Sequence, residues 1–177
     1  MNKIFIGLLL IFLNFNLFIG NSKIGLIPDF IGYIIMIKGL TEMSGENPFF
    51  LKVKPFAAVM AVYAGILYFL DILGISVSLG ILSYILAVIS TIISLYISYN
   101  IVLGVKKLEE KYNAFLNYHN LKSAWTLLAI FNLLAYISLV FPILALIFII
   151  LVLVAGILFL VTFNKSKNQY YKIFQSA

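Results

Sequence analysis

Long apolar runs alternate along the chain with short polar breaks, and the runs approach the length that a bilayer demands. A spanning helix needs about 20 apolar residues to cross a hydrocarbon core ~30 Å thick. Six segments come near this: 4–20, 24–42, 56–73, 79–103, 123–140 and 142–163. The first has the basic start of a secretory signal, but Asn14 and Asn16 interrupt it and no small-residue cleavage site follows, so it reads as a retained anchor. Residues 41–55 read as a polar connection, 74–80 as a glycine- and serine-rich turn, and 164–177 as a polar tail. Pro142 stands where the last helix would begin, the position at which a missing N–H costs least. The expectation is a single domain, an all-α integral membrane protein of six transmembrane helices arranged as three hairpins.

Lysines orient this threading. With the N-terminus inside, Lys3, Lys38, Lys52, Lys54, Lys106, Lys107, Lys111, Lys122, Lys165, Lys167 and Lys172 all face the cytoplasm, and Lys23 alone lies outside. Cytoplasmic loops carry such an excess of basic residues, which predicts a bacterial plasma-membrane protein with both termini cytoplasmic. Composition agrees: 64% of residues are hydrophobic and 10% charged, against roughly 45–50% and about 25% in soluble domains. The net charge of +6 is therefore read as a topology signal, and no nucleic-acid partner is expected.

Within the runs, spacing picks out faces. Gly80, Ser83, Ala87, Ser90, Ser94 and Ser98 form one stripe on the fourth helix. Small residues let helices approach in lipid, so the stripe predicts an internal helix–helix seam, with a polar lining as the other reading. Tyr96, Tyr99 and Asn100 suit interface anchoring. Asn132 and Tyr136, one turn apart, are placed to hydrogen-bond to a neighbouring helix. In the connection 104–122, Val105, Leu108, Tyr112 and Phe115 step along one face opposite Lys106, Lys107, Glu109, Glu110 and Lys111. This predicts an amphipathic continuation of the fourth helix lying near the headgroups.

Chemistry-bearing patterns are sparse. His119 is the sole histidine, there is no cysteine and no arginine, and no glycine-rich phosphate loop occurs. Nucleophile–base pairs and metal-ligand spacings are thus missing, and no enzyme activity, catalytic residue, cofactor or metal is assigned. Apart from Glu42 at the polar edge of the second run, Asp29 and Asp71 are the acids within the apolar runs. The leading expectation is an accessory, scaffold or envelope-associated interaction protein whose partners are the bilayer and a membrane protein or a second copy. A small transporter or channel-like protein using Asp29 and Asp71 comes second.

The most unusual segment is Leu26-Ile27-Pro28-Asp29-Phe30-Ile31-Gly32-Tyr33-Ile34-Ile35, followed by Gly39-Leu40. Pro28 suits a first helical position, and Asp29 then lies in the first turn, where free N–H groups and the macrodipole favour an anion. Gly25, Gly32 and Gly39 recur every seven residues, and Asp29, Gly32, Tyr33, Met36, Gly39 and Leu40 share a helix face expected to look into the bundle. The segment resembles the LPDFIGY-type motif of uncharacterised small multi-pass membrane proteins of Gram-positive bacteria, with Ile27 in place of Leu. That resemblance implies a fold family and no particular activity.

Overall fold

The computed structural model describes residues 1–12, 16–19, 22–25, 28–73, 81–138 and 142–175. Six helices dominate: α1 (Asn2–Phe12), α2 (Asp29–Met43), α3 (Pro48–Ile72), α4 (Ile81–Tyr112), α5 (Tyr118–Ser138) and α6 (Pro142–Gln175). Between α1 and α2, strands β1 (Asn16–Ile19) and β2 (Ser22–Gly25) pair antiparallel, Asn16 opposite Gly25 and Ile19 opposite Ser22. Four helices, α3 to α6, are long and apolar enough to cross a membrane.

Helix limits differ from the sequence expectation in instructive ways. The expected span 4–20 is helical only to Phe12 and carries a strand at 16–19. Residues 13–15 lie outside the described residues, and Asn16 opens β1. The expected span 24–42 begins as strand; its helix proper, which the Pro28-Asp29 pair places at about 28–43, runs Asp29–Met43, with Pro28 preceding the helix rather than occupying its first turn. The polar connection expected at 41–55 shrinks to 44–47, because α3 starts at Pro48. Asn47 caps it, its Oδ1 accepting from the Phe49 N–H at 2.9 Å, and Pro48 takes the first turn. Pro55 lies inside α3 rather than ahead of it. Residues 104–112 continue α4 and 118–122 open α5, so the expected 104–122 connection reduces to 113–117. Residues 164–175, read as a tail, are helical. The turn at 74–80, with Gly80, lies outside the described residues.

The chain, read above as one domain, divides into two compact units, 1–97 and 98–177. In the first, α1 packs on α2, α2 on α3, and β2 on α3. Ile4, Leu8, Met36, Leu40, Phe50 and Val53 form its solvent-free core. In the second, α5 packs on α6, with Leu116, Leu121, Leu128, Phe159 and Phe163 buried. Burial favours one end of α3 and of α4: among the described residues α3 buries Phe50, Val53, Ala57 and Met60 but nothing beyond, and α4 buries nothing between Ile81 and Tyr96. Ile66, Phe69, Leu73, Ile81 and Leu82 are exposed, which suits side chains facing lipid.

Candidate functional site

The α1–α2 pair is built on three glycines. A Cβ added at Gly39 would lie 2.6 Å from the Ile4 backbone N, one at Gly32 3.0 Å from the Gly7 carbonyl oxygen, and one at Gly7 2.7 Å from the Gly32 carbonyl oxygen. Only glycine permits this approach, and in lipid such close contact is a main source of helix association. The order Ile4–Gly39, Gly7–Gly32, Ile11–Gly32 makes the pair antiparallel. It closes with an exposed Lys3–Glu42 ion pair, worth at most about 1 kcal/mol. Gly25, third in the seven-residue series, belongs to β2 and not to this seam.

The buried face of α2 is Gly32, Tyr33, Met36, Gly39, Leu40 and Met43. Ile31, Ile34 and Lys38 are exposed on the opposite side. Pro28 precedes the helix in extended conformation (φ −64°, ψ 132°), and Asp29 is the acid of its first turn. Asp29 is half-buried, and it interacts electrostatically with Tyr33, whose hydroxyl is hydrogen-bonded to Ser94 of α4.

Depth gives this cluster its interest. Phe30 packs edge-on to Tyr68, ring centroids 5.7 Å apart, and lies beside Gly65. Asp29 is therefore level with the α3 residues one to two turns before Asp71. At a rise of 1.5 Å per residue, it lies about 8 Å below Asp71 along the helix axis. Asp71 closes α3 half-exposed. The two acids, similar in sequence, occupy different levels.

Along the serine stripe of α4, Ser83 is exposed, Ala87, Ser90 and Ser94 are half-buried, and Ser98 is buried. Ser90 donates back to the Ala87 carbonyl at 2.9 Å. Ser98 accepts from the Trp125 indole N–H at 3.0 Å, beside the Tyr99 ring at 4.6 Å from Trp125. Two serines of the stripe thus bond to large side chains of other helices, Ser94 to Tyr33 and Ser98 to Trp125. Trp125 and Gly7 were not singled out by sequence reasoning, since both owe their roles to partners far along the chain.

Other candidates resolve locally. Asn132 donates to the Leu128 carbonyl of its own helix at 2.8 Å rather than to a neighbour, and Tyr136 is half-buried on the same helix. Glu109 accepts from the backbone N–H groups of Leu116 (2.8 Å) and Tyr118 (3.2 Å), tying the α4–α5 turn where Asn113 and Asn117 take positive φ. Val105 and Leu108 are fully buried, so the apolar face of this stretch packs within the protein while Lys106, Lys107 and Glu110 are exposed. His119 is exposed beside the Tyr118 ring. Among the described residues no cluster of His, Cys, Asp or Glu could hold a metal ion.

No protein-family model matches the chain, and comparison with curated proteins and with solved structures returns no match.

Proposed function

We propose that the chain crosses a bacterial plasma membrane six times with both termini cytoplasmic, and that it acts through contacts within the membrane plane as an accessory or scaffold protein. Four crossings are α3 to α6. The other two are composite: α1 with β1, and β2 with α2. Eleven helical residues rise about 16 Å and four strand residues about 13 Å, together close to a ~30 Å core. The lysine distribution supports the orientation.

One observation carries the contact reading: only 11% of the apolar windows of α3 and of α4 is buried within the chain. The face this leaves is wide enough to bind a neighbouring protein as well as lipid. Crosslinking in native membranes followed by purification tests it. A stoichiometric partner is the expected outcome, and a lone monomer or homo-oligomer overturns the accessory reading.

A second reading, a small transporter or channel-like protein, is favoured by the depth of Asp29. Intramembrane carboxylates are costly and commonly functional. Loss of function in Asp29→Asn and Asp71→Asn, with normal expression, supports it; tolerance of both removes its ionisable groups. The family resemblance of the 26–40 segment is part of this proposal only as a shared architecture.

A further inference from the structure

We propose that the lysine-bearing end of α5 and α6 holds anionic phospholipid headgroups, with Lys122 and Lys165 selecting them over zwitterionic ones. The proposal rests on α5 and α6 crossing a membrane, and on neither orientation of the chain within it.

Three observations converge on this end, and the first is charge. Seven of the twelve lysines but only two of the six acids fall within residues 98–177, so this unit carries +5 of the chain's net +6. Both acids are on α4 and both are engaged. Glu109 accepts from the Leu116 and Tyr118 N–H groups, and Glu110 pairs with Lys107 and Lys106. Helices α5 and α6 contain four lysines and no acid.

The second is the direction of the faces. On α6, Val154, Leu158, Val161, Lys165, Asn168 and Lys172 share one helix face, and all six are exposed. One exposed stripe therefore passes from apolar to basic without turning inward, while Phe159, Phe163, Ser166 and Tyr170 on the opposite side are buried. On α5 the exposed stripe Ile137, Leu133, Ile130, Thr126 ends in the same way at Lys122. A face that touches lipid tails along its length touches headgroups where the tails end.

The third is level. The 20 residues Pro142–Val161 rise about 30 Å, the thickness of a hydrocarbon core. Lys165, one turn farther, is then in the headgroup layer. Lys122 belongs to the same end: Lys106 of α4 lies over the Tyr118 ring at the start of α5, 5.7 Å from its centroid, and Tyr112 of α4 meets Tyr170 of α6 at 6.2 Å. Ammonium groups at this level attract a phosphodiester of net negative charge, and gain little from phosphocholine, whose own ammonium offsets its phosphate.

Trp125 is the chain's single tryptophan and stands half-buried on α5, three residues from Lys122, which makes its fluorescence a local reporter. The whole chain is reconstituted into phosphatidylcholine vesicles containing equal fractions of acyl-brominated phosphatidylglycerol or acyl-brominated phosphatidylcholine, and quenching is compared. The brominated phosphatidylglycerol is expected to quench as though bound about fivefold more tightly, the discrimination of one nearby lysine. Lys122→Gln with Lys165→Gln brings the ratio to about one, and Lys122→Arg with Lys165→Arg keeps it. Lys38→Gln with Lys52→Gln, at exposed lysines of the first unit, also keeps it. Equal quenching by the two lipids in the wild type overturns the proposal. Loss of preference in the Lys38 and Lys52 control overturns it too, by assigning the effect to overall charge. Loss on adding inorganic phosphate, but not chloride at the same ionic strength, assigns the site to a free anion and overturns the lipid. Absence of quenching by either lipid overturns the membrane crossing of α5 itself, a result distinct from equal quenching by both.

Discussion

Helices α2 and α4 both carry small residues at helical spacing: Gly32 and Gly39 on α2, and Ser83, Ala87, Ser90, Ser94 and Ser98 on α4. On α2 they meet a neighbour's backbone, Gly7 and Ile4 of α1, at distances no side chain tolerates. On α4 they bond to their own helix, as Ser90 does, or to a large side chain, as Ser98 does with Trp125 and Ser94 with Tyr33. The difference is chemical. Glycine removes both the Cβ and any competing hydroxyl, and it is matched here by glycine on the partner. Serine keeps a donor that must find an acceptor, and it is the partner's size that sets the spacing. Glycine facing glycine gives a backbone contact, and serine facing an aromatic ring gives a polar one.

The sharpest way to break the comparison is to add a methyl group inside the glycine seam of α2 and another at a glycine of α3 that lies outside any seam. Gly39→Ala is expected to cost about 2–3 kcal/mol by overpacking, seen as a lowered unfolding midpoint in detergent. Gly65→Ala, whose added Cβ meets nothing closer than Phe30 at 3.9 Å, is the control and stays near wild type. Equal effects would mean that the α1–α2 contact is not what holds the first unit.

If α4 is held by points, removing a point matters more than filling its stripe. Glu109→Ala leaves the Leu116 and Tyr118 N–H groups without their carboxylate, an expected loss of about 2 kcal/mol. Trp125→Phe keeps the ring against Tyr99 but deletes the bond to buried Ser98, an expected loss of about 1 kcal/mol. Ser90→Ala removes only a bond returned to its own helix and is expected to be neutral. A strongly destabilising Ser90→Ala would restore the seam reading of α4.

Much of α2 was legible because one helix face repeats every 3.6 residues: the set Gly32, Tyr33, Met36, Gly39 and Leu40 is both the spaced set and the buried one. The first-turn position of Asp29 was legible from Pro28, which marks the helix start, although Pro28 itself stays extended and precedes the helix. The extension of α4 past 104 followed from the continued 3–4 spacing of Val105, Leu108 and Tyr112. What stayed hidden depended on pairing. Gly7 looks like any glycine in an apolar run until Gly32 stands opposite it. The start of α3 at Pro48 required weighing Asn47 as a cap against a polar, charged stretch that hydropathy alone marks as a loop. The depth of Asp29 could not come from hydropathy either, because α2 ends below the level that its apolar flank suggests.

The smallest effect lies on the exposed C-terminal end of α4, where Glu110 pairs with Lys107 at 2.7 Å and with Lys106 at 3.7 Å. The hydrogen bond from Lys107 holds its carboxyl below the ordinary value of 4.5, and the charges of Lys107 and Lys106 add to this. A carboxyl whose folded value is lowered binds its proton later than it would in the unfolded chain. Its contribution to stability is therefore present above pH 4.5 and is lost as pH falls through the lowered value. Full exposure screens the interaction, so Glu110→Gln should leave the unfolding midpoint at neutral pH unchanged within error and only flatten its decline in acid. Glu109→Gln differs, because its carboxylate serves backbone N–H groups rather than mobile lysines, and it should lower the midpoint already at neutral pH. If the two substitutions proved equivalent at neutral pH, the α4–α5 turn would not be tied by Glu109, and α4 would lose one of the points that distinguish it from α2.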